Sequence, residues 1–174
     1  MGTSLFHLAA PARGRRSSGF TILELLILMV VLGVAASVGI PSYFGRPEVT
    51  LESAADLLAN DLRELGGRAA VYREKLSLRF DEDGDGYSAT DWSGQLLVSP
   101  YGAGPYVRRY DSDAVFRGVT IEALEPEAPR SVTFDATGTA SHSISVTVGY
   151  GGETRVVSLA ARTGLVTIDE GPGR

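Results

Sequence analysis

No cysteine occurs in the 174 residues. That excludes a disulfide framework, a thiolate metal centre and thiol chemistry, so packing and pairing alone must stabilise any exported portion. Histidine is scarce as well. Beyond the first twenty residues the only one is His142, set between Ser141 and Ser143 at the start of a strand-like run, where a solvent-facing role is more usual than catalysis. There is no phosphate loop, no H-E-x-x-H and no G-x-S-x-G. An enzyme is not expected, and no cofactor is implied.

Charge is missing from two stretches in different ways. Residues 1–19 contain Arg13, Arg15 and Arg16 but no acid, which leaves 13 basic against 21 acidic residues downstream, a net −8 inside an overall −5. The next 21 residues, Phe20–Ile40, carry no charge except Glu24. At about 1.5 Å per helical residue that run is roughly 31 Å long, the thickness of a hydrocarbon core. Arginines preceding such a span stay on the cytoplasmic side, which places residues 41–174 outside the cytoplasm. A cleaved secretory signal also has a basic start and an apolar core, and Ala35, Ala36, Ser37 and Gly39 offer small residues for its cleavage. Its core, however, is usually about 7–15 residues long, shorter than this run, and rarely begins with a carboxylate.

An acid at the centre of a bilayer helix costs about 2.5–3.5 kcal/mol, and less near an end, so Glu24 requires a cause. Gly33 and Ser37, and likewise Ala35 and Gly39, are four apart and share helix faces on which a second backbone can approach closely. Pro41 lacks a backbone donor and is expected to kink or end the helix.

The octet Gly19-Phe20-Thr21-Ile22-Leu23-Glu24-Leu25-Leu26 resembles the processing signature of type IV pilins and of the pseudopilins of type II secretion. The resemblance implies that a prepilin peptidase cuts after Gly19 and methylates the new terminal amine of Phe20. It also implies that Glu24 pairs with the N-terminus of a neighbouring subunit during filament assembly. The electrostatics agree, because a carboxylate in low dielectric is tolerable beside a cation, and the new amine has a reference pKa of about 7.7–8.0. In related filaments the stretch matching Gly33 to Pro41 can lose helical order on assembly, so those two residues bracket an expected helix break.

Pro41, Gly45 and Pro47 interrupt the helical pattern, which then returns. Leu51, Ala55, Leu58, Leu62, Leu65, Ala69 and Tyr72 recur at steps of four and three, predicting an amphipathic helix over about 48–73. From residue 76 the period shortens to two. Leu76, Leu78 and Phe80, then Tyr87 and Ala89 across the turn-rich DEDGDG, predict a hairpin; Val132 and Phe134, Ile144 to Val148, Thr154 to Leu159 and Leu165 to Ile168 predict further strands. A helix followed by short antiparallel strands gives an α+β domain with the helix covering the sheet. This plan, with Phe134, Gly138 and Gly164 in its closing pattern, is similar to the GspH/FimT family of minor pseudopilins, although Leu165 stands where the family often has a basic residue. The implied fold is pilin-like: a long N-terminal helix, transmembrane and then amphipathic, packed on antiparallel sheets.

Two clusters carry candidate chemistry. Asp81, Asp83 and Asp85, followed by Gly86, match the first half of a D-x-D-x-D-G calcium loop; position twelve is Trp92 instead of a bidentate glutamate, so a plain hairpin turn is preferred. Residues 99–118 interleave Tyr101, Tyr106 and Tyr110 with Arg108 and Arg109, the combination of π-faces and cations that grips single-stranded nucleic acid. Asp111 and Asp113 offset that charge and the tail after Ile168 is acidic, so an exposed loop with an edge strand is preferred over DNA binding.

The sequence thus predicts a basic leader (1–19), a single membrane pass (20–41) and a periplasmic α+β domain (42–174, β-rich over 76–168). The expected chain is a minor pseudopilin of a bacterial inner membrane, with prepilin peptidase, other pilins or pseudopilins and an inner-membrane assembly platform as partners. A DNA-binding minor pilin of an uptake pilus is the alternative.

Overall fold

The computed structural model describes residues 21–44, 47–102 and 104–171, with side chains of 36–48 outside the description. Gly19, Phe20 and the whole leader therefore lie outside the described residues. The chain divides into two compact units, residues 1–40 and 41–174.

The described part of the first unit is Thr21 and helix α1, Ile22–Phe44, whose last residues fall in the second. The helix continues through Gly33 and Pro41 to Phe44. A proline in the last turn removes only one intrahelical donor, which leaves the neighbouring bonds to complete the turn. All described side chains of α1, from Ile22 to Ala35, are exposed. Among the described residues no helix is long and apolar enough to cross a membrane. The apolar run in the sequence extends past Ala35, where the side chains are not described.

The second unit begins its regular structure with α2, Pro47–Tyr72, where the Leu/Ala seam predicts about 48–73. Leu51, Ala55, Leu58, Leu62, Leu65 and Ala69 are buried as that periodicity requires, whereas Tyr72, counted into the seam, is two-thirds exposed at the helix end. The strands are β1 (Leu76–Phe80), β2 (Gly86–Asp91), β3 (Val107–Arg109), β4 (Thr120–Glu125), β5 (Ser131–Phe134), β6 (Ile144–Tyr150), β7 (Glu153–Leu159) and β8 (Val166–Glu170). They form two four-stranded antiparallel sheets, ordered β3-β2-β1-β5 and β4-β6-β7-β8. Helix α2 packs on β1 and β5 of the first and on β6, β7 and β8 of the second. Inward residues of both sheets, among them Leu78, Phe80, Phe134, Val146, Val148 and Val157, complete one core with the α2 seam.

The expected hairpin forms across DEDGDG, with Leu76 opposite Asp91 and Phe80 opposite Tyr87. The edge strand expected within 99–118 is β3. Strand β4 is absent from the sequence reading for a physical reason. A bulge between Ile121 and Ala123 shifts its register, so its buried residues Ile121 and Leu124 are three apart and the two-residue alternation is lost.

Two turns share one construction. In DWSGQ (91–95) and DATGT (135–139) the leading aspartate accepts the hydroxyl and amide of the Ser or Thr two residues on and the amide four residues on. The Ser93 hydroxyl holds the Asp91 carboxyl below its usual range, and the Thr137 hydroxyl does the same for Asp135. Only the second turn is pressed against α2. There Gly138 has φ +81°, and a Cβ on it would sit 2.6 Å from the Gly66 carbonyl oxygen; a Cβ on Gly66 would meet the Phe134 ring at 3.3 Å. The Gly66-Gly67 pair, unfavourable for an isolated helix, is thus half explained: Gly66 lets the β5 turn approach, while Gly67 has open space around it.

This contrast predicts opposite outcomes. Gly138→Ala should destabilise the full chain in detergent micelles by about 1–3 kcal/mol, and Gly67→Ala should stabilise it by up to about 1 kcal/mol, both measured by thermal denaturation followed by circular dichroism.

Candidate assembly surfaces and a buried charge pair

Glu24 lies in the first turn of α1, and its amide donates to the Thr21 hydroxyl oxygen at 3.2 Å while the Leu25 amide donates to the Thr21 carbonyl at 3.1 Å. Thr21 and Glu24 have the spacing of a capping box, and an acid at a helix start is favoured by the positive end of the dipole. Part of the cause demanded by Glu24 is therefore local. Beyond it, Ile22, Leu23, Leu25, Leu26, Ile27 and Leu28 are each at least half exposed. A helix that is apolar all round belongs inside a larger protein assembly or a bilayer.

A second acid on an apolar helix face was missed by the sequence reading. Asp61 sits three residues after Leu58 and four before Leu65, within the α2 seam, and it is completely buried. The signal that drew attention to Glu24 was present here too. The edge strand β3 supplies the answer. Arg108 Nε donates to Asp61 Oδ2 at 3.1 Å, and the Tyr87 hydroxyl donates to the same oxygen at 2.9 Å. Tyr106, Arg108 and Tyr110 alternate along the β3 segment and share one face; Tyr106 and Tyr110 are buried, and the Tyr106 hydroxyl reaches Glu64 at 3.5 Å. Burial opposes the Arg108 charge, yet its bond to Asp61 prevails and raises its pKa. Burial also pushes the Tyr87, Tyr106 and Tyr110 hydroxyls up, reinforced by the Asp61 charge, so all three are neutral at ordinary pH.

This geometry dismantles the nucleic-acid arrangement read from residues 99–118. Tyr106 and Tyr110 have no face open to a base. Arg108 is committed to Asp61, and its guanidinium lies over Tyr101 at 5.2 Å and Tyr106 at 5.7 Å. Arg109, about half exposed, faces Asp85 at 3.7 Å.

The acidic turn is likewise tied into the fold. Asp85 accepts the Asp111 amide at 2.8 Å, its carbonyl accepts the Tyr110 amide at 2.8 Å, and Arg130 donates to the Asp81 carbonyl at 2.8 Å. Asp83 accepts the Asp85 amide at 3.0 Å, a turn-stabilising bond. Burial, with the neighbouring Asp111 and Asp83 carboxylates, raises the Asp85 pKa. Among the described residues no three His, Cys, Asp or Glu side chains converge as a metal site. Asp81, Asp83 and Asp85 lie in and beside the β1–β2 turn, and the Asp85 bonds anchor the chain between β3 and β4 to it.

Removing Arg108 leaves a buried carboxylate without its cation. Arg108→Ala should therefore destabilise the domain by about 3–5 kcal/mol, and Asp61→Ala/Arg108→Ala by less than the sum of the two single changes. Chemical denaturation of the four proteins measures the coupling.

Comparison with known proteins follows this geometry. No family model matches the chain. It is 31% identical over 103 residues to the type II secretion system core protein G of Klebsiella pneumoniae, covering 59% of this chain and 66% of that protein. It is 30% identical over 96 residues to the protein of the same name from Aeromonas hydrophila, covering 55% and 59%. The chain thus spans about three-fifths to two-thirds of the length of the curated relatives it matches. Among solved structures, the type IV minor pilin FimU of Pseudomonas aeruginosa superposes with a TM-score of 0.50 at 23% identity, covering 71% of this chain and 93% of that one. The fold is pilin-like, and over the matched residues the chain is similar to these type II secretion core proteins.

Proposed function

We propose that the chain is a minor pseudopilin, a structural subunit of a type II secretion pseudopilus or a related type IV pilus. In this reading it enters a bacterial inner membrane once through the 20–41 segment, with its basic leader cytoplasmic and the 42–174 domain periplasmic. Prepilin peptidase removes the leader after Gly19 and methylates Phe20, and an inner-membrane platform then adds the subunit to its neighbours. The work is mechanical and associative. The observation that carries the proposal is the surface of α1: an uncovered apolar helix whose only charge is Glu24. The relatives named for type II secretion and the minor pilin with the same fold support it. The minor role draws on the fold likeness, since the curated relatives are core proteins. No observation favours the DNA-binding alternative.

Capping and assembly make different demands on residue 24. Glutamine preserves the capping-box geometry and removes the charge. If Glu24 neutralises the new amine of a neighbour, both Glu24→Gln and Glu24→Ala leave leader cleavage intact and impair incorporation into the filament by about tenfold or more, the loss of a buried charged pair. Incorporation is read by shearing and quantitative immunoblotting. Normal incorporation of Glu24→Gln would reduce Glu24 to a cap.

A further inference from the structure

The segment Trp92–Gly102, part of the connection from β2 to β3, has no buried side chain. Within it only Leu97 packs partly against the core. Main-chain bonds tie it to its flanks all the same: Leu97 donates to the Ala89 carbonyl at 2.9 Å, Ser99 to Gly104 at 2.9 Å and Tyr106 to Leu97 at 2.7 Å. Toward α2 the attachments run through two arginines and through Glu64, to which the Tyr101 hydroxyl donates. Arg68 Nη1 donates to the Val98 carbonyl at 3.0 Å. Arg108, at the base of the segment, is fixed to Asp61 and holds Tyr101 through the cation–π contact.

Between segment and helix lies a groove of about 570 Å³ lined by Glu64, Gly67, Arg68, Val71, Val98 and Pro100. The two walls thus do not interdigitate. Val71 and Val98, on opposite sides, remain 76% and 63% exposed, so apolar burial contributes little to holding them together. Segments with few buried apolar contacts open at a free energy well below that of global unfolding.

We propose that Trp92–Gly102 is a strap, latched onto α2 by Arg68 and by Tyr101 on Arg108 and Glu64, that lifts as a local unit while both sheets stay folded. Lifting removes one wall of the groove and bares the α2 face around Gly67 and Val71. The latch therefore decides whether the domain presents a groove or an open helix at this end.

Amide hydrogen exchange on the full chain in detergent micelles tests this. Arg68→Met keeps the aliphatic stem, loses the donor to Val98 and leaves the buried pair alone. Arg68→Met/Tyr101→Leu also gives up the stack on Arg108 and the bond to Glu64 and leaves the Asp61–Arg108 pair intact. The strap predicts that Ser99 exchanges about threefold faster in the single variant, and that Leu97, Ser99 and Tyr106 exchange about tenfold faster in the double variant, while Val146 and Val157 change less than about twofold. Unchanged exchange at Ser99 in Arg68→Met overturns the latch. A rise of equal size at Val146 and Val157 in the double variant overturns the local opening, because these contacts would then be part of the global fold.

Discussion

A carboxylate on an apolar helical face must be neutralised, hydrogen-bonded or kept wet, and this chain meets that constraint twice with different solutions. In α2 the acid is Asp61, and the solution is internal: Arg108 and Tyr87 converge on one oxygen, which fastens edge strand β3 to the helix. Through that contact the charge, the tyrosines of the β3 segment and the long connection from β2 become one arrangement. In α1 the acid is Glu24, and the solution is only partly internal, since Thr21 caps the turn while the surrounding apolar surface stays uncovered.

The two units therefore differ in what they leave unfinished. The 41–174 unit buries its helix seam against two sheets, and near the β1–β2 turn Asp85 meets Arg109 and the Asp111 amide while Asp83 accepts the Asp85 amide. Among its described residues most large apolar side chains lie inside. In unit 1–40 the described apolar side chains, from Ile22 to Ala35, lie outside. Such a division, a closed domain joined to an uncovered apolar helix, suits a subunit that passes from a lipid environment into a stack of like helices.

Much of this fold was legible because local pattern and tertiary demand agree. The four-and-three spacing from Leu51 to Ala69 marks the buried face of α2, and the alternation of Leu76, Leu78 and Phe80 around DEDGDG marks the first hairpin. Legibility fails where one distorts the other. The bulge in β4 changes the spacing of Ile121 and Leu124 and hides a strand. The interleaved tyrosines and arginines of 99–118 look like a nucleic-acid platform until the facing helix is known, because sequence shows the cation but not the buried Asp61 that claims it. Asp61 itself was readable as an acid out of place on an apolar face, by the argument applied to Glu24. Pro41 falls in the last turn of α1, where a proline removes only one intrahelical donor.

The central claim is that α1 begins, in the working protein, with a free and newly made amine that its neighbour's acid can meet. Intact-mass and N-terminal fragment analysis of the chain recovered from cell envelopes tests this most directly. The account predicts a polypeptide whose first residue is Phe20 carrying one added methyl group. A chain that retains residues 1–19, or that begins beyond the apolar run near Gly39, would contradict it.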